Sequence, residues 1–194
     1  MTTFYQKNIN RRNGFLILIT VAIMSGVLSF FGRAWWCPAG DLHVWSFDVW
    51  SQHNSQHLLD WYTPSHISHG LLFCLFFRWA LSERLRGYAI VFSAALEASW
   101  EVLENSSFII NRYREATIAL DYFGDSILNS VSDVAWCTFG FIIAARISTL
   151  HTIVIFLAME LLTLACIRDN LTLNVLMLIW PLDVIKEWQL VIAP

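Results

Sequence analysis

The sequence predicts an all-α protein, a polytopic transmembrane bundle of five to six helices with its N-terminus in the cytoplasm. Three observations predict it. Hydrophobic residues fill 57% of the 194 positions and charged residues only 14%, with a mean hydropathy of +0.54, whereas soluble domains carry about a quarter charged residues. Apolar stretches recur at lengths near the ~20 residues that cross a hydrocarbon core. Lys and Arg are divided unevenly between the loops joining those stretches, as the positive-inside rule requires. A formal charge of −3 offers no footing for a nucleic-acid partner. The bulk partner is the lipid bilayer.

The chain is expected to form a single integral membrane domain, 1–194, with spans at 14–32, 64–81, 88–104, 126–145, 151–168 and 171–185. Lys7, Arg11 and Arg12 precede the first apolar run, which leads into Arg33, Trp35 and Trp36 instead of a small-residue cleavage site. That pattern fits a retained helix better than a signal peptide. The second span opens on Pro64, a favoured first-turn residue. The third, fourth and fifth are long apolar runs, the third and fourth bearing acidic faces. The sixth contains Asn174, Pro181 and Asp183, so it is expected to be short, kinked or partly inserted.

With the N-terminus inside, Lys7, Arg11, Arg12, Arg78, Arg84, Arg86, Arg146 and Lys186 lie on the inner side. Arg33, Arg112, Arg114 and Arg168 lie outside, a ratio of eight to four that supports this orientation. Two outer loops follow, 33–63 and 105–125. The first carries Trp35, Trp36, Trp45, Trp50 and Trp61, and tryptophan prefers the headgroup layer. The second mixes an apolar 108–110 run with Arg112, Tyr113, Arg114 and Glu115, the composition of a short interfacial helix. Cys37, Cys74, Cys137 and Cys166 show no paired spacing and are expected to pack as small apolar residues.

Polar residues respect depth. At 100° per residue, Glu97, Glu101 and Glu104 fall within an arc of about 60°, spread over about 10 Å of helix axis. Asp125, Asn129 and Asp133 follow at intervals of four, reaching about 12 Å below the mouth of the fourth span. His66 and His69 stand in the first two turns of the second. Ionisable residues thus gather in the outer halves of three helices, while the inner halves (71–77, 89–95) are nearly all apolar. A carboxylate at mid-membrane costs about 2.5–3.5 kcal/mol on insertion scales, so such residues need water, a proton, a partner or a metal. Hydrogen bonding between helices is the plainer explanation for Asn129, Ser130 and Ser132. Glu160 has no acidic companion on its helix and is expected to be structural or ion-paired.

Three stretches carry a family resemblance: NSQHLLDWYTPSHISHG over 54–70; WEVLENS over 100–106, continuing through Tyr113 and Arg114 to YFGDSILNSVSD over 122–133; and DNLTLN over 169–174, closing on Trp188 and Gln189. Together they resemble the UPF0314 family, which implies a multi-pass protein of the bacterial inner membrane and implies no chemistry. A shorter pattern, a Glu-bearing helix followed by an Asp/Asn helix from Asp125 to Gly140, resembles VanZ-like membrane proteins and implies an envelope-related role.

The candidate catalytic residues are Glu101, Glu104, Asp125, Asn129 and Asp133. His66, His69, Glu101, Glu104 and Asp125 are a candidate ligand set for a divalent metal (Zn, Mn or Fe), since imidazole and carboxylate donors suit those ions. Arg112, Arg114 and Tyr113 are candidate binders of a substrate phosphate. The chemistry this predicts is metal-assisted or acid–base hydrolysis or transfer on a lipid-linked envelope substrate. A non-catalytic assembly factor that binds an envelope protein is the alternative. An ion-coupled carrier, whose path would continue through Glu160 and Asp183, is a third.

Overall fold

The computed structural model describes residues 2–117 and 122–191; among the described residues the regular structure is helical, with no strand beyond one isolated bridge between Trp45 and Leu59. The helices are α1 (Thr2–Asn8), α2 (Arg11–Phe30), α3 (Thr63–Ala80), α4 (Ala89–Glu104), α5 (Ser107–Ala116), α6 (Ile127–Arg146), α7 (Thr149–Ile167), α8 (Leu171–Ile179) and α9 (Asp183–Leu190). Three of them, α2, α6 and α7, are long and apolar enough to cross a membrane. The expected spans 64–81 and 88–104 coincide with α3 and α4. Those helices fall outside that group, because α4 has only 16 residues and the first turns of α3 are polar. Helices α2 and α7 expose Phe15, Leu18, Ile23, Leu150, Val154, Leu157 and Leu161, the surface an apolar solvent demands.

The expected sixth span, 171–185, is not one helix. Pro181 cannot donate a backbone hydrogen bond, and the chain breaks at Trp180 before restarting at Asp183. Asn170 caps α8, its Oδ1 accepting from the Leu173 amide at 2.8 Å. Glu160 of α7 adds to the cap, its two carboxylate oxygens accepting from the Leu171 and Thr172 amides at 3.0 Å each. An acid there answers the unpaired amides and positive pole of a helix start. Glu160 is therefore a cap.

The close pairing of α3 with α6 organises the bundle. A Cβ on Gly70 would lie 1.9 Å from the Cys137 carbonyl oxygen, and one on Gly140 would lie 2.1 Å from that of Ile67. Only glycine admits this approach, the small-residue packing expected where lipid removes the hydrophobic drive between helices. Below the glycines, Leu71, Cys74, Phe77, Ala89, Ile90, Phe141, Ala144 and Ala145 close the core. Beside it, Met24, Leu28, Ala94, Ala98, Ile127 and Val134 pack α2 against α4 and α6.

The 33–62 segment is more deeply engaged than a purely interfacial loop. Trp35 and Trp45 are exposed, but Gln56, His57 and Asp60 are buried. Main-chain carbonyls of Gln56, His57 and Leu58 accept from Ser126 Oγ (3.0 Å), Asn129 Nδ2 (2.7 Å) and Ser132 Oγ (2.6 Å) along α6. Asp60 accepts from the Tyr62 and Thr63 amides at 2.7 and 3.0 Å, so the same loop sets the start of α3.

Candidate functional site

The start of α3, the second half of α4 and the start of α6 meet around a cavity of about 110 Å³, completed by α5, α8 and the 54–55 turn. His66 and His69, three residues apart on α3, both aim Nδ1 at Glu97 of α4, with N–O distances of 2.6 and 2.8 Å. Their rings meet edge to face at 5.8 Å. Glu97 is fully buried, so this fork of two imidazoles supplies the partners its charge needs.

One turn along α4, Glu101 is equally buried and has neither partner. Both carboxylate oxygens lack any hydrogen-bond donor, and the nearest imidazole nitrogen, His66 Nδ1, stands 3.7 Å away. Asp133 faces it from α6, with Oδ2 3.7 Å from His66 Nε2 and Oδ1 unpartnered. A buried carboxylate without a donor carries its full desolvation cost. Among the described residues no Lys or Arg forms an ion pair with any of these acids.

Asp125, also buried, is held on both sides. Asn105 Nδ2 donates to Oδ2 at 2.7 Å and the Tyr122 hydroxyl to Oδ1 at 2.8 Å, while the Asp125 amide donates back to Asn105 Oδ1. Burial still pushes the Asp125 carboxyl up to about 6. Glu104 lines the cavity between this group and Glu101.

The five residues expected to hold one metal do not form one set. Their donor atoms fall into three overlapping groups, each within 4.8 Å: His66, His69 and Glu97; His66, Glu101 and Asp133; Glu101, Glu104 and Asp125. His69 is turned onto Glu97, so it is drawn away from Glu104 and Asp125. Glu97, absent from both the expected catalytic set and the expected ligand set, anchors both histidines. Asn129 lines the cavity but commits its amide to the His57 carbonyl, a positioning task. Tyr113 lines the cavity and donates to Asn174 Oδ1 at 3.0 Å.

Arg112 and Arg114 do not reach the cavity lining. Their Nε atoms donate to the carbonyls of Leu178 (2.9 Å) and Tyr122 (2.5 Å), tying α5 to its neighbours. The apolar side of the site was missed by sequence reasoning: Trp100, Tyr62, Leu171 and Val175 line it. The third recognised stretch, 169–174, was the available signal, because it carries Leu171 and Asn174 to this wall.

The match to known proteins extends over nearly the whole chain. A family model described as a protein of unknown function (DUF2585) matches residues 28–191. A UPF0314 protein of Sphingopyxis alaskensis is 46% identical, covering 92% of this chain and 95% of its own length. A UPF0314 protein of Rhizobium meliloti is 47% identical over 87% of this chain and 86% of its own, and one of Paracoccus denitrificans 44% over 90% and 89%. No solved structure matches.

Proposed function

The chain belongs to the UPF0314 family, and from that premise and the cavity's geometry we propose that it is a metal-dependent hydrolase or transferase acting on a lipid-linked envelope substrate. In this reading it is a multi-pass protein of the bacterial inner membrane, with a cytoplasmic N-terminus and the cavity in the outer half of the bundle. The observation that carries the reading is Glu101, fully buried with two orphaned oxygens. Glu101 belongs to two donor groups, one with His66 and Asp133 and one with Glu104 and Asp125. Glu101 is thus the residue the two donor groups share, and it would be a ligand to a divalent ion held by either.

Charge argues the same way. Four acids (Glu101, Glu104, Asp125, Asp133) remain after Glu97 is assigned to the histidines. Four acids so close together are more than His66 alone can answer, and a divalent cation among them would favour their charged form. A bound metal lowers the pKa of water enough to supply hydroxide near neutral pH. Glu104 and Asp133 line the same cavity and would serve as proton acceptor and donor for a hydrolytic or transfer reaction there. Trp100, Leu171 and Val175 offer the apolar wall that a lipid tail requires.

A non-catalytic role as an assembly or binding protein has one observation in its favour, the complete hydrogen bonding of Glu97 and Asp125. Carrier function loses its support at Glu160, which is spent on capping α8. Metal content of the full chain purified in detergent separates the first two readings. The hydrolase reading expects divalent metal that Glu101→Gln removes, with chelation lowering the melting temperature of the wild type more than that of the variant. Equal metal content in both proteins, with no difference on chelation, sinks it.

A further inference from the structure

A second cluster of metal-ligating atoms lies in the loop between α2 and α3, apart from the acidic cavity. Cys37, Asp41, His53 and His57 bring their donor atoms within 4.8 Å of one another. Cys37 Sγ is 3.4 Å from His53 Nδ1, His53 Nδ1 is 3.1 Å from Asp41 Oδ2, and His57 Nε2 is 3.6 Å from Asp41 Oδ1. A tetrahedron with bonds of about 2.0–2.3 Å has edges of about 3.3–3.8 Å, and these three separations, 3.1–3.6 Å, lie close to that range.

His57 supplies the independent observation. Its Nδ1 lies 2.8 Å from the His43 carbonyl oxygen, which can only accept, so Nδ1 carries the proton. Nε2 of the neutral ring is then a bare lone pair. It is completely buried, has no hydrogen-bond partner, and faces Asp41 Oδ1, itself buried and unpartnered. Two acceptors confronting each other at 3.6 Å are satisfied by a proton or a metal ion between them, and Cys37 and His53 alongside supply a metal's remaining ligands. The backbone carbonyl behind Nδ1 is the usual orienting partner of a metal-bound histidine. Trp36 completes the frame, its indole N–H donating to the Asp41 carbonyl at 2.6 Å and its ring meeting His57 edge-on.

We propose that Cys37, Asp41, His53 and His57 form a four-ligand structural zinc site that staples the 33–60 segment over the cavity. One thiolate and one carboxylate neutralise the ion, and the mixed S, N and O donors select zinc over magnesium or calcium. Four protein ligands leave no open position, the mark of a structural site. Its consequence reaches the cavity, because Asn54 and Ser55 line that cavity and the His57 carbonyl holds Asn129.

The test is cobalt substitution of the full chain in detergent, stripped with chelator and titrated with cobalt chloride. One equivalent is expected to give tetrahedral d–d absorption with a thiolate-to-cobalt charge-transfer band. Cys37→Ser is expected to lose the band and to bind zinc at least about 100-fold more weakly. Cys37→His, which keeps four donors, is expected to bind cobalt without the band. The double variant Glu101→Gln/Asp133→Asn is expected to keep it, which separates this site from the cavity metal. A wild-type cobalt spectrum without the charge-transfer band, or a band that survives Cys37→Ser, overturns the proposal.

Discussion

The two ends of the α3–α4–α6 bundle are built from the same helices and solve opposite problems. At one end, Leu71, Phe77, Ile90 and Phe141 fill the space between helices with side chains that need nothing but volume. At the other, Glu97, Glu101, His66 and Asp133 are just as buried but enclose a cavity. Gly70 and Gly140 sit at the join, where the α3 and α6 backbones touch. The difference teaches that a tight helix crossing can serve a site lying beyond it. Backbone contact fixes the spacing, and side chains one or two turns away then meet at set distances.

The largest expected effect breaks the join itself. Gly70→Val or Gly140→Val places a branched side chain against a carbonyl that cannot move aside, and each should cost more than about 3 kcal/mol. Loss of folded, monodisperse protein in detergent checks it; a variant melting like the wild type would show that the two helices can separate at no cost.

Next comes the fork at the polar end. Removing both histidines (His66→Ala/His69→Ala) leaves Glu97 buried and unpaired, with an expected loss of about 3–5 kcal/mol. Adding Glu97→Gln should recover part of that loss, because the uncompensated charge disappears. Thermal melts of the double and triple variants measure the recovery.

A smaller effect lies at the edge of the polar end, where Asp169 accepts from the Asn170 amide (2.9 Å), Gln189 Nε2 (3.2 Å) and the Tyr62 hydroxyl (3.3 Å). Burial pushes this carboxyl up to about 6 from an ordinary 3.8. A raised folded-state value means its contribution is fully present below about pH 3.8 and is lost as pH rises through about 6. Asp169→Asn is therefore expected to be more stable than the wild type at pH 8, by about 2–3 kcal/mol, with the advantage vanishing toward pH 4. Melting temperatures across that range would show the two curves converging; parallel curves contradict the assignment.

Smallest is Arg112→Ala, which removes one bond to the Leu178 carbonyl and should cost about 1 kcal/mol. Metal content should stay unchanged. A variant that loses metal would return Arg112 to the site.

Glu101, Asp133 and His66 were legible in the sequence as candidates, since helical spacing puts the acids of each helix on one face, and the structure brings those faces to one cavity. The partnership of Glu97 with both histidines was not, because a 3.6-residue repeat gives the direction of a side chain and not its neighbour on another helix. The zinc ligands were hidden for a related reason. Cys37 and His57 are 20 positions apart in an irregular loop, and no periodicity connects them.

Composition and apolar run length, by themselves, determined an all-helical protein with helices suited to lipid, because both follow from satisfying backbone groups in a medium without water. Family membership was equally readable from the motifs. Only the tertiary structure decided which carboxylates are answered and which are left bare. That outcome depends on Gly70 and Gly140 letting two backbones touch, and on where the 33–62 segment then comes to rest on α6.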